Sequence, residues 1–273
     1  MNLKMTLGCG AVALATLLLT PNQASANPKP FVFTYAYPTL AKGDVEIEQY
    51  IDLLPLKAVN AASGEPVPYL GMQFMTELEI GITDRLELGL YATIVPRPGD
   101  KLTSVPNLPS GNGAKQRLRY RFADEGAWPL DVGLYGEVAE NERELEFEAK
   151  LLLARRFGSA LIASNLIGEA EVKYDGEVEF VVSPTAGISY QVTPAFQPGF
   201  EYWSKFKFSD EPASKRGFND GPHHYVGPVM LFNFGRAWWS SGAYFRVSDL
   251  DHRIVPGDKY APIWFRTVVG VGL

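Results

Sequence analysis

Between positions 115 and 121 every second residue is a cation: Lys115, Arg117, Arg119 and Arg121. Further along, the same spacing carries the opposite sign in Glu144, Glu146 and Glu148, with Lys150 next in the row. Glu77 and Glu79 make a shorter acidic pair, and Arg246 and Arg266 are single cations in segments of the same alternating kind. Residues two apart share a face when the chain is extended, so these are rows of charge along strands. Opposed rows of opposite sign have two uses. They interlock as ion pairs that fill a small lumen and stiffen its wall. Alternatively, they set a transverse field across a narrow water channel that selects charged or polar solutes. The sequence leaves both open. Acid exceeds base on these faces, which favours cations if the lumen conducts.

The other chemical grouping is histidine. His223, His224 and His252 lie near Asp220, Asp249 and Asp251, a candidate rim cluster for a metal or a general base. No serine near them sits in a nucleophile motif, so no oriented triad can be assembled. Asn165-Leu-Ile-Gly168 has no histidine close in sequence. There is no phosphate loop, metal quartet or dinucleotide fingerprint, so neither cofactor nor metal is expected. The single cysteine, Cys9, excludes a disulfide framework and a multi-cysteine metal site. A formal net charge of −6 argues against a nucleic-acid partner.

Such rows need strands, and the amino terminus says where the strands reside. Lys4, the uncharged apolar run from Leu7 to Leu19, and the small residues Ala24-Ser25-Ala26 have the three parts of a secretory leader. The apolar run is too short for a membrane-spanning helix, which takes about 20 residues. Cleavage after Ala26 is expected. It would remove Cys9 and Lys4, leaving a mature chain without cysteine at a net charge of −7, outside the cytoplasm.

The mature chain alternates with period two throughout. Leu86, Leu88, Leu90, Ala92 and Ile94 are apolar, with Glu87, Gly89, Tyr91 and Thr93 between them. Opposite the cationic row stand Ala114, Leu118, Tyr120 and Phe122, with Gln116 the one polar member. Twelve segments follow this pattern: 44–54, 71–81, 85–95, 113–122, 130–139, 143–154, 159–173, 177–190, 195–208, 223–234, 237–248 and 261–272. Most have about ten residues or a little more, the length of a tilted membrane-crossing strand, and their number is even. Long connections at 55–70, 96–112, 209–222 and 249–260 follow odd segments. Short turns near Asp84, Gly158, Pro194 and Gly235 follow even ones, with 123–129 the longest of that set. The connections at 140–142 and 175–176 break the trend. Short periplasmic turns alternating with longer external loops are the wiring of an outer-membrane barrel.

Alternation alone serves a soluble β-sandwich equally well, with the apolar face as its core. Three features favour the membrane. The apolar faces carry almost no charge. Aromatics gather at segment ends (Tyr202 and Trp203, Trp238 and Trp239, Trp264 and Phe265), where an interfacial girdle would sit. The chain also ends inside an alternating strand, at Leu273, in the manner of an outer-membrane assembly signal, with leucine in place of the usual aromatic. The expectation is an all-β chain: a leader over 1–26, an N-terminal segment or plug over 27–43, and a twelve-stranded antiparallel transmembrane β-barrel over 44–273. It would lie in the cell outer membrane with both termini periplasmic. Its partners would be outer-membrane lipid, the barrel-assembly machinery and a small-molecule solute.

Two stretches also carry a resemblance. Gly81-Ile-Thr-Asp-Arg-Leu-Glu-Leu-Gly-Leu-Tyr91, with Gly187-Ile-Ser-Tyr-Gln-Val-Thr-Pro194, resembles the strand–turn–strand units of predicted outer-membrane transporters grouped with the phenol-degradation-pathway (MetA-type) barrel proteins. Tyr35-Ala-Tyr-Pro-Thr-Leu-Ala-Lys-Gly-Asp-Val-Glu-Ile-Glu-Gln-Tyr50 is similar to the start of such barrels. The resemblance implies a pore or transporter and brings no catalytic residues. The competing expectations are a barrel enzyme acting on phospholipid or lipid A, and a plugged structural barrel.

Overall fold

The computed structural model describes residues 26–108, 110–208, 221–248 and 253–273. The expected leader, apart from Ala26, falls outside them, as do His252, Asp220, Asp249 and Asp251. Alternation becomes strand along the whole described chain. The strands are β1 (Val45–Asn60), β2 (Pro66–Thr83), β3 (Leu86–Ile94), β4 (Leu102–Thr103), β5 (Gly113–Arg121), β6 (Asp131–Asn141) and β7 (Glu144–Phe157). They continue with β8 (Ala160–Lys173), β9 (Val178–Val182), β10 (Thr185–Tyr190), β11 (Phe196–Phe208), β12 (His223–Asn233), β13 (Ala237–Arg246) and β14 (Ile263–Gly272).

Each strand is antiparallel to its neighbour, and β14 returns to β1 in register Glu46↔Gly272 through Leu53↔Phe265, which closes the sheet. β9 and β10 are two halves of one line, both pairing with β8 and β11. The line breaks at Ser183-Pro184, where proline has no N–H to give. β4 touches only the far end of β1. Twelve staves therefore form a closed antiparallel barrel, one for each alternating segment. Gly158 and Gly235 take the positive φ that tight hairpin turns demand.

The turns at 84–85, 122–130, 158–159, 191–195 and 234–236 lie at one end with the strand termini, here called the turn end; the other is the loop end. The long loop expected over 55–70 is mostly strand. β1 and β2 run on past the barrel wall to Val59↔Pro66, leaving a turn of 61–65. Pro55 is tolerated because β14 has ended at Leu53, so the side its missing N–H faces needs no donor. The β12–β13 ladder skips Gly227 and Pro228 for the same lack of a donor.

Leu90, Leu118, Leu134, Leu151, Ile162, Leu166, Ile188, Phe200 and Phe245 point outward and are exposed. Glu46, Glu48, Asp52, Glu77, Glu79, Glu87, Arg117 and Arg119 point inward and are buried. This is a soluble protein turned inside out: an oily surface around a charged interior. The girdle expectation needs correction. Trp239 and Phe265 do face outward, but Trp203, Trp238 and Trp264 are buried in the lumen. Adjacent strand residues point to opposite faces, so only one of each aromatic pair can meet lipid.

Candidate functional site: the charged lumen

Residues 26–43 form no strand; 26–40 lie inside the barrel, against inward side chains from most of its circumference, and 41–43 are exposed where the chain enters β1. The Asn27 nitrogen donates to Glu46 Oε2 at 2.7 Å. Lys29 Nζ reaches Glu48 at 2.5 Å, Glu79 at 2.8 Å and the Tyr50 hydroxyl at 2.9 Å. The backbone N–H groups of Val32, Phe33 and Thr34 all donate to the buried Glu201 carboxylate, which also receives the Tyr244 hydroxyl. Asn165 pairs with Tyr35 in both directions, N–H to Oδ1 at 2.6 Å and Nδ2 to the carbonyl at 3.0 Å. Tyr37 bonds Ala123, and the Leu40 N–H donates to Glu87 at 2.7 Å. The segment thus rises from the turn end to mid-height and returns. Irregular backbone is tolerable here because side-chain carboxylates and amides accept its N–H groups. Gly187 makes room for it: a Cβ there would sit 2.5–2.9 Å from the Phe31 ring.

Beside this segment the cationic row divides. Arg117, with no side-chain exposure, donates to Glu77 (2.9 Å from Nε), Glu87 (2.6 Å from Nη1), Glu79 and the Tyr91 hydroxyl (2.9 Å). Arg119 pairs with Glu87 at 2.7 Å. Arg117 reaches back over β3 to β2 and Arg119 reaches back to β3; neither pairs forward with a carboxylate of β6 or β7. Gly89 lies opposite Arg117 and permits this, since a Cβ there would meet Glu77 Oε1 at 2.6 Å and Arg117 Nε at 2.7 Å. Arg121 ends at the turn, bonded to Thr39 and Asp124. Only Lys115 pairs forward, with Glu137 at 3.0 Å and Glu146 at 3.9 Å. The expected crossing of charge between these strands therefore holds for one cation of four. Burial works against the Lys29 charge, but the carboxylates of Glu48, Glu79 and Glu77 outweigh it and hold its ammonium well above the ordinary lysine range.

Above this network the lumen is open. A mid-height cavity of about 190 Å³ is bounded by Phe33, Trp203 and Trp264 on one side and by Lys115, Glu146, Glu148 and Lys150 on the other. Phe33 stacks on Trp203 with centroids 4.6 Å apart and meets Trp264 edge-on at 5.9 Å. Arg266 holds Asp52 bidentately at 2.7 and 2.8 Å and lies 4.1 Å over the Phe33 ring. A larger cavity of about 660 Å³ at the loop end is lined by Glu144, Lys173, Glu179, Lys207 and Lys259, and Lys205 borders both. A third, of about 160 Å³, opens at the turn end beneath Pro28, Pro30 and Tyr37. Residues 29–35 are the partition between it and the mid-height cavity.

Charge is not spread evenly. The anticipated acid excess collects in the buried network, where Glu46, Glu48, Glu77, Glu79 and Glu87 face Lys29, Arg117 and Arg119. The two upper cavities are balanced by comparison: apart from Lys29, which belongs to that network, eight lysine or arginine side chains meet eight carboxylates across the pair, with Lys205 shared. Burial, then the neighbouring Lys205 ammonium, pull Lys259 down to about 8.

The loop end is partly capped. Arg246 Nη1 donates to the Tyr260 carbonyl at 2.7 Å, and Tyr260 stacks on His223 with centroids 3.7 Å apart. His223 is buried and faces the lumen. His224 faces outward, its Nδ1 2.9 Å from the Tyr202 hydroxyl. Neighbours on one strand diverge, so these two histidines build no common site. Of the other anticipated residues, Glu148 pairs with Lys150 at 2.8 Å and Glu144 accepts from Asn141 at 3.3 Å. Sequence reasoning puts Glu201 on the polar face and Phe33 among aromatics that pack, but it does not find Lys29 or Asn165 as lumen residues, nor that Glu201 receives the backbone of 32–34. The odd-position aromatics of 31–37 were the available signal that this stretch packs against something.

No family model matches the chain, and no curated protein matches it in sequence. Solved structures do. The COG4313 outer membrane channel from Pseudomonas putida F1 superposes with a TM-score of 0.60 at 12% identity, over 89% of this chain and 100% of that one. NanC porin gives 0.57 at 8% identity, over 84% and 100%. KdgM porin gives 0.55 at 8% identity, over 84% and 99%. The fold is thus that of outer-membrane channel barrels, and the sandwich alternative is excluded.

Proposed function

We propose that this chain is an outer-membrane channel for small charged or polar solutes. The carrying observation is the pair of charged cavities that run from the loop end to mid-height inside a barrel with an apolar outer face. Taking ions out of water costs several kcal/mol each even when they are paired, so the long, partly accessible Lys115–Glu146 pair implies water around it. On this reading the turn end, with both termini, faces the periplasm, and lipid covers the outer face after insertion by the barrel-assembly machinery. With the acid excess locked in the buried network, the open cavities carry balanced charge and discriminate little by the sign of an ion. The phenol-degradation-type resemblance fits this role without naming a solute.

The buried network supports a second reading, a barrel closed at its turn end by residues 29–35. Single-channel recording in planar bilayers separates the two. We expect small conductance with little preference for the sign of the ion, and an increase on Phe33→Ala, which removes the ring wedged between Trp203 and Trp264. Silence from heat-modifiable, well-folded protein, with no solute uptake in liposomes, would leave the closed barrel. Hydrolysis of phospholipid or lipid A that disappears when His223, His224 and His252 are replaced together would make the protein an enzyme instead.

A further inference from the structure

Glu46 is the first inward-facing carboxylate of β1, opposite Gly272 at the very rim of the turn end. It is fully buried. Its Oε1 accepts the Trp238 indole N–H at 2.6 Å, and its Oε2 accepts from the Asn27 nitrogen at 2.7 Å. Trp238 is laid over Gly270, where a side chain would collide with its ring. Around Glu46 the charge does not balance: five buried carboxylates face three cations. A neutral peptide N–H satisfies a hydrogen bond but leaves the charge of a buried carboxylate uncompensated. The atom that touches Glu46 is the nitrogen of the residue that follows the expected cleavage point.

We infer that Glu46 is the receptor for the chain's own processed amino terminus: hydrolysis of the Ala26–Asn27 bond converts the Asn27 nitrogen into an α-ammonium group that ion-pairs with Glu46 and fixes the N-terminal segment in the lumen. A leader peptidase supplies the cut. One water is consumed; its hydroxyl completes the Ala26 carboxyl group and its hydrogen goes to the Asn27 nitrogen. The new amine then takes a proton from solvent, since an ordinary α-amine titrates near ~8. Three further bonds hold the terminus where it must be. Asn27 Nδ2 donates to the Pro38 carbonyl at 3.3 Å, tying the rising leg to the returning one. Ser240 Oγ donates to the Lys29 carbonyl. Lys29 itself anchors to Glu48 at 2.5 Å. The consequence is order of events: before cleavage Glu46 lacks its counter-charge, and the segment seats fully only afterwards. This holds whatever the channel carries.

The test uses mature protein purified from outer membrane. Its first residue is read by N-terminal sequencing and intact mass. The folded barrel is then treated at neutral pH with a small amine-acylating reagent, unfolded, digested, and the modified α-amine quantified. We expect Asn27 as first residue and labelling at least about tenfold slower than in the unfolded chain, because reaction requires local opening. Glu46→Gln should abolish that protection while the barrel stays heat-modifiable. Two residues inserted between Ala26 and Asn27 should do the same without touching the barrel. A different first residue, a wild-type amine labelled as fast as in the unfolded chain, or full protection in Glu46→Gln overturns the assignment. So would protection that appears only with added calcium or magnesium, which would place a metal ion among Glu46, Glu48 and Glu79, whose oxygens lie within 4.8 Å of one another.

Discussion

Replacing Arg117 by methionine keeps the bulk of a buried side chain and removes its charge. In the native barrel that guanidinium serves Glu77, Glu79, Glu87 and the Tyr91 hydroxyl with no solvent contact. The variant leaves five buried carboxylates with only Lys29 and Arg119. Removing one partner of a buried ion pair costs about 3–5 kcal/mol. At about 1.4 kcal/mol per tenfold, that is roughly a factor of 10² to 10⁴ in the ratio of folded to unfolded protein. Lys115→Met deletes a cation from the same row, but one whose side chain is 15% exposed to an open cavity. It behaves more like a solvated pair and should cost below about 1 kcal/mol. Urea unfolding of each barrel in lipid vesicles, followed by tryptophan fluorescence, gives both values. Adding Glu87→Gln to Arg117→Met should recover part of the loss, since it removes one of the orphaned charges. Equal losses for the two single variants, or a loss under about 1 kcal/mol for Arg117→Met, would refute the view that the turn-end network is dry while the cavity above it is wet.

The remaining expectations are briefer. Leu90→Arg places a charge on the outward face and should block membrane insertion or cost about 2–4 kcal/mol near the midplane, read by heat-modifiability and folding yield into vesicles. Gly89→Val should cost about 1–3 kcal/mol by displacing Arg117 and Glu77; the same change in an Arg117→Met background should cost less, because neighbours in one network are not additive. Raising the pH through about 8 should strip the Lys259 proton from the loop-end cavity and move the reversal potential toward cations, a step that Lys259→Met removes. The folded chain gives up this proton earlier than the unfolded chain, whose lysine titrates near ~10.4. Stability should therefore rise, not fall, between about pH 8 and about 10.4.

The wall of the barrel was legible because one physical rule wrote it: alternate residues see lipid or lumen, and Leu88 cannot share a face with Glu87. The same rule, applied one residue further, would have divided the aromatic pairs. Trp203 sits on the Glu201 face, and Tyr202 on the other. Where tertiary geometry competes with local chemistry the reading stopped short. Pro55, Pro66 and Pro68 read as loop, yet their strands continue because each missing donor meets an unpaired edge or a strand start. The direction in which Arg117 reaches was invisible, because it depends on the absence of a side chain at Gly89 on the neighbouring strand. The contents of the lumen were legible only as one option, a plug over 27–43, and its path was not, for a similar reason. Residues 27–43 alternate only over 31–37, form no strand, and take their shape from carboxylates and amides up to 169 positions away.

Those long separations bear on how the molecule is made. Asn27 leaves the ribosome early, but the groups that accept the backbone of 32–35 belong to Asn165 and Glu201, and the indole at Glu46 comes from Trp238. Contacts so distant along the chain form only after the intervening loops have closed. The segment that fills the lumen is therefore synthesised early and seated late, against a wall already complete. Substitutions at Glu201 or Asn165 should then leave the rate of barrel closure nearly untouched and quicken its loss, the kinetic signature of contacts made after the transition state.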